Sequence, residues 1–122
     1  MTTTDIGVDD LDDLLDDNDI VLIDFWADWC GPCKAFAPAY EKVSDAFPDI
    51  KFTKCDTQKE EELADMFDVK SIPTLAVFKE KILIFKQAGA FPEEAMTELL
   101  EKVIEIDMDT VRKELEETSE EE

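Results

Sequence analysis

The run Ile20-Val21-Leu22-Ile23-Asp24-Phe25-Trp26, continued by Ala27-Asp28-Trp29-Cys30-Gly31-Pro32-Cys33-Lys34, decides how the rest of this chain is read. The apolar run predicts a strand covered on both faces. From Pro32 onward the apolar spacing becomes helical. Two cysteines at C-x-x-C spacing therefore fall where strand turns into helix, and in that context the spacing reads as a redox pair. A helix N-terminus carries unpaired N–H groups and a partial positive charge. A thiolate placed there is stabilised and becomes more reactive. Pro32 suits the first turn, where a missing N–H breaks no intrahelical bond. Asp24 interrupts the most apolar stretch. Burial there makes its carboxylate costly to ionise, so its pKa is expected to rise; the alternative is an exposed Asp at a strand end.

Working outward, the composition narrows the classes. The chain has 122 residues, enough for one domain with one core. No apolar run reaches the roughly 18 residues of a membrane span. Met1-Thr2-Thr3-Thr4-Asp5 lacks the basic and apolar regions of a signal peptide, so the expected location is the cytoplasm. In that compartment a C-x-x-C is a working pair rather than a staple. The net charge is −21, with eight acids and no bases in residues 1–20 and nine acids against two bases in residues 105–122. Such a charge repels nucleic acid and anionic membranes, so neither is expected as a partner. It describes a solvated surface, with adaptation to high salt as the alternative. Three cysteines and no histidine cannot fill the roughly four ligands of a structural zinc site within one chain, so no metal is expected. The absence of His also removes Cys–His protease chemistry. Cys55 reads as a small buried hydrophobe.

In chain order, residues 2–7 hold a short edge strand. Val8, Leu11, Leu14 and Leu15 mark a short helix with an acidic face, ended by Asn18-Asp19. After the cysteines, Phe36, Ala39, Tyr40, Val43, Ala46 and Phe47 mark one helix face, with Pro38 inside the helix and Pro48 closing it. Residues 50–55 alternate as a strand. Glu60-Glu61-Glu62 opens a helix whose apolar face is Leu63, Met66 and Phe67. Thr74–Phe78 and Ile82–Lys86 pair as a hairpin about Lys79-Glu80-Lys81, a turn without the Gly or Asn that tight hairpins want. Either the turn is longer or a non-Gly residue bears strain. Pro92 and Glu93-Glu94 open a helix buried through Met96, Leu99, Leu100, Val103 and Ile104. Leu100, Ile104, Met108, Val111 and Leu115 continue a helical stripe. The helix is expected to extend or restart to about Glu117, with Thr118–Glu122 disordered; a wholly disordered acidic tail is the alternative.

Trp26-Ala27-Asp28-Trp29-Cys30-Gly31-Pro32-Cys33-Lys34, together with Lys54, Ile72-Pro73-Thr74 and Gly89-Ala90 at matching spacings, strongly resembles the thioredoxin family over residues 5–105. The resemblance implies an α/β thioredoxin fold: a central mixed five-stranded sheet flanked by four helices. The domain would occupy residues 1–106, with 107–122 an acidic extension. It implies a protein-disulfide reductase that binds no cofactor and works through a redox-active Cys30–Cys33 disulfide. Cys30 would be the nucleophile and Cys33 the resolving thiol. Asp24 would lie beneath Cys33 and assist its proton transfer, and Lys54 would tune Asp24. Pro73 would follow a cis bond. Trp29, Gly31, Pro32, Ile72, Thr74, Gly89 and Ala90 would line the client groove, with Trp26 packed nearby. Its partners would be disulfide-containing clients and a flavin-dependent, NADPH-using thioredoxin reductase, and it would act as a monomer. The Gly-Pro pair between the cysteines resembles the reducing members of the superfamily. An oxidant or isomerase, or a binding subunit without turnover, are the other readings.

Overall fold

Continuous apolar strands need cover on both faces, and the chain supplies it by alternating strands with helices. In this computed structural model, which describes residues 3–121, the elements are β1 (Thr3–Asp5), a 3-10 turn (Val8–Asp10), α1 (Leu11–Asp17), β2 (Ile20–Trp26), α2 (Gly31–Ala46), β3 (Lys51–Asp56), α3 (Glu61–Met66), β4 (Thr74–Lys79), β5 (Ile82–Ala88), α4 (Glu93–Glu105) and α5 (Met108–Glu121). The five strands form one mixed sheet in the order β1-β3-β2-β4-β5. β1, β3 and β2 run parallel, while β4 is antiparallel to both β2 and β5.

Side-chain alternation splits the core. Ile20 and Leu22 of β2, Phe52 of β3 and Leu75 and Val77 of β4 face α2 and α4, where they meet Phe36, Tyr40, Val43, Met96, Leu100 and Val103. Val21, Ile23, Phe25, Cys55, Ala76 and Phe78 face the other way, against Leu11 and Leu14 of α1 and Leu63 of α3. Parity then assigns Asp24 and Lys54, paired across β2 and β3, to the α2 face.

Three apolar residues expected in the core are not there: Ala46 is exposed, Met66 is 56% exposed and Ile104 is 50% exposed. All three lie in the last turns of their helices, Ala46 and Met66 as the final residue and Ile104 as the one before it. The hairpin turn is tight rather than longer. Glu80 (φ 48°) and Lys81 (φ 72°) both adopt left-handed backbone, the strain that the missing Gly foretold.

At the chain's end the structure takes the second of the two expected courses: the helix stops at Ile106 and restarts as α5. Asp107 caps the restart, accepting from the Asp109 N–H (3.0 Å) and the Thr110 hydroxyl (3.0 Å). Met108 is buried. The helical backbone continues to Glu121, beyond Thr118 where disorder was expected, because the segment holds no Gly or Pro to stop it and Glu is a good helix former. Glu122 lies outside the described residues. Lys79, which reads as a turn residue, is instead a buried cap. Its Nζ donates to the carbonyls of Val103 (2.8 Å), Ile104 (2.9 Å) and Ile106 (2.9 Å), closing the C-terminus of α4.

Candidate active site

Both cysteines sit at the start of α2. Cys30 is the N-cap in extended backbone, and its Sγ accepts from the Cys33 N–H at 3.2 Å. Pro32 falls in the first turn. Cys30 and Cys33 form a disulfide, packed on Ala27, Trp26 and Ile72. The two differ little in exposure, 4% and 2%. What separates them is position: Cys30 lines the adjacent cleft and Cys33 does not.

That cleft, about 480 Å³, brings together Trp29, Cys30, Gly31, Pro32 and Ile72 from among the expected groove residues. Trp29 stands 67% exposed on its rim. The Ile72–Pro73 bond is cis, and the Ile72 carbonyl oxygen lies 3.8 Å from Cys30 Sγ. Thr57, Val69, Lys70 and Ser71 also line the cleft. Sequence reading missed these four; for Val69, Lys70 and Ser71 the available signal was that they form the loop leading into Ile72-Pro73.

The remaining expected groove residues stand apart. Thr74 is buried, with its hydroxyl donating to the Ser71 carbonyl, so it shapes the loop rather than lining the cleft. Gly89 and Ala90 are exposed beyond the lining, and the Gly89 N–H donates to the Pro73 carbonyl at 2.8 Å. Gly89 has φ 132°, which a side chain would strain, although a Cβ there would meet open space.

In the middle of β2, Asp24 is 1% exposed, and neither carboxylate oxygen has a hydrogen-bond partner among the described residues. Burial pushes its pKa up to about 7, partly offset by the attraction of Lys54. Lys54 is half-buried, its Nζ 4.9 Å from the centre of the Trp26 ring. Burial and the acids around it push the Cys55 thiol up to about 12, the behaviour of an inert core cysteine. Among the described residues no group of three or more His, Cys, Asp or Glu is placed to hold a metal. No helix among them is long and apolar enough to cross a membrane.

This geometry can accept an extended chain beside an exposed tryptophan and exchange its disulfide at Cys30. Comparisons with known proteins agree. The Thioredoxin family model matches residues 5–102. A Streptomyces coelicolor protein designated thioredoxin 2 is 47% identical over 112 residues, covering 92% of this chain and 84% of that protein. That similarity spans more of the chain than the family model does. Bacillus subtilis thioredoxin is 43% identical over 84 residues, 68% of this chain and 81% of that one. Among solved structures, a point-mutant thioredoxin from Halobacterium salinarum superposes with a TM-score of 0.80 at 34% identity, covering 86% of this chain and 93% of that one. Fold, cysteine pair and relatives converge on one conclusion: the chain belongs to the thioredoxin family of dithiol–disulfide reductases.

Proposed function

We propose that Cys30 and Cys33 carry the turnover, with Asp24 as the proton acceptor. Cys30, as a thiolate, attacks one sulfur of a client disulfide. The client S–S bond breaks, a mixed disulfide forms, and the first client thiolate leaves and takes a proton from water. The Cys33 thiol gives its proton to Asp24, directly or through water, and attacks Cys30 Sγ. The mixed bond breaks, the second client thiolate is released, and two electrons have passed to the client. The observation that carries this reading is the Cys30 Sγ at the α2 N-terminus, held by the Cys33 N–H and open to the cleft. Lys54 tunes Asp24, and cis-Pro73 holds the Ile72 backbone outward, where an extended client can pair with it. Trp29, Gly31, Pro32 and Ile72 form the groove, Gly89 and Ala90 extend it, and Thr74 braces its loop.

On this reading residues 1–106 are the working domain and 107–122 an extension of it. The protein acts as a monomer in the cytoplasm and is recharged by a flavin-dependent thioredoxin reductase drawing on NADPH. Its charge of −21 favours clients and a reductase with basic surfaces, so association slows as salt rises. The test is insulin-disulfide reduction in dithiothreitol: the chain accelerates it, Cys30→Ser returns it to the uncatalysed rate, and Cys33→Ser accumulates mixed disulfides with clients. Equal rates for the chain and Cys30→Ser would overturn the reading.

A further inference from the structure

The pole of the sheet opposite the cysteines carries a second cleft that disulfide exchange does not use. It lies about 20 Å away, the length of β2 at roughly 3.3 Å per residue. There the end of α2, the loop into β3 and the last turn of α4 enclose a groove of about 410 Å³. Its floor is Ile20 and Ile50, both buried, and its walls are Phe47, Pro48 and Ile104. Ile104 is 50% exposed on a helix turn whose neighbours Glu101, Lys102 and Glu105 are all charged. Leaving an isoleucine half in water beside further apolar surface forgoes burial that the fold could have used.

The rim identifies the occupant. Among the described residues, the only charged ones lining the groove are Asp19 and Asp49, and no basic residue lines it. A second copy of the chain would bring another −21 of charge to this acidic rim. The chain's own last residues, Thr118-Ser119-Glu120-Glu121-Glu122, would be repelled likewise. An apolar side chain flanked by lysine or arginine satisfies both floor and rim. We propose that this groove is a docking site for an aliphatic or aromatic side chain presented on a basic segment of a partner protein. Being remote from Cys30, it can hold a partner while the cysteines turn over, and it stands whether or not the assignment of proton transfer to Asp24 does.

The experiment is an amide-resolved NMR titration of the full oxidised chain with a cysteine-free peptide carrying one phenylalanine between paired lysines, and with its leucine counterpart. The expected result is saturable shifts confined to the neighbourhood of Ile20, Phe47, Ile50 and Ile104. Ile104→Ser, an exposed position that leaves insulin reduction unchanged, should weaken binding about tenfold, and Asp49→Asn several-fold. An alanine in place of the phenylalanine should abolish the shifts. The proposal is overturned if the shifts scatter over the acidic surface and ignore Ile104→Ser, or if a serine-flanked peptide binds as tightly. It is overturned equally if the same residues shift with chain concentration alone, which would make the groove a contact between copies, or if millimolar peptide shifts nothing there.

Discussion

Two charged side chains are buried in the same sheet, and they are treated in opposite ways. Lys79, at the end of β4, is 6% exposed, and its Nζ meets three carbonyl oxygens, one for each hydrogen it can donate. Asp24, in β2, is 1% exposed, and neither of its oxygens has a partner among the described residues. A buried polar group that is fully bonded fixes geometry; one left unbonded has its protonation state pushed about by its surroundings. Lys79 locks α4 in place, while Asp24 sits near neutrality, where it can take and release a proton. The difference separates the structural pole of the molecule from the chemical one.

Breaking the Asp24 side of this contrast should have the larger effect. The Asp24 pKa rises from 3.8 to about 7, roughly 3 units at about 1.4 kcal/mol each. Well below pH 4 the group is neutral in both folded and unfolded chains and contributes nothing. Between pH 4 and 7 the unfolded chain ionises first, the native state holds more protons, and stability falls as pH rises. Above pH 7 the full cost stands. Asp24→Asn should therefore be near neutral at pH 4 and stabilise by about 4 kcal/mol at pH 8, read from denaturant melts at both pH values, while slowing release of mixed disulfides. A stability difference that does not change with pH would remove the assignment.

Lys79→Met keeps the apolar stem and removes the three bonds. It should destabilise by about 3 kcal/mol, at roughly 1 kcal/mol per net hydrogen bond, and leave insulin reduction at 25 °C unchanged because the cysteines are at the other pole. A loss of activity in the folded variant would show that the two poles are coupled.

Lys54→Met sharpens the chemical pole. Removing the one attraction that lowers the Asp24 pKa should move the pH midpoint of mixed-disulfide resolution upward from about 7; a midpoint that stays put would mean Lys54 does not act on Asp24.

The smallest effect lies in the hairpin turn. Lys81→Gly relieves a left-handed residue, worth roughly 1–2 kcal/mol. Against this it gives up the exposed Lys81–Asp16 ion pair (2.9 Å), worth about 0–1 kcal/mol, and adds flexibility to the unfolded chain. A net gain of roughly half a kcal/mol is expected, seen as a small rise in Tm.

The turn is anchored by its neighbours. The Glu80 N–H donates to the Asp19 carbonyl at 2.8 Å, and the Glu80 carboxylate accepts from Arg112 of α5 at 2.8 Å. α5 thus braces a hairpin turn that has no glycine.

What the sequence determined by itself was whatever depends on neighbours along the chain. The strand-to-helix junction at Cys30-Gly31-Pro32-Cys33 was legible because period and capping are local. The burial of Asp24 was legible because an apolar run surrounded it. At Lys79-Glu80-Lys81 the missing glycine narrowed the choice to a longer turn or a strained one, and the structure takes the strained one. Tertiary structure alone decided what depends on distant partners. Nothing around Lys79 in sequence announces three carbonyls more than twenty residues away. Nothing in the helical stripe through Ile104 announces that it stands half exposed beside a groove. Nor could the stripe, which allowed either an extended or a restarted helix, choose between them or show that Arg112 would reach back to Glu80. Periodicity reports which face of a helix is apolar, while its cover is set by where the other elements stop.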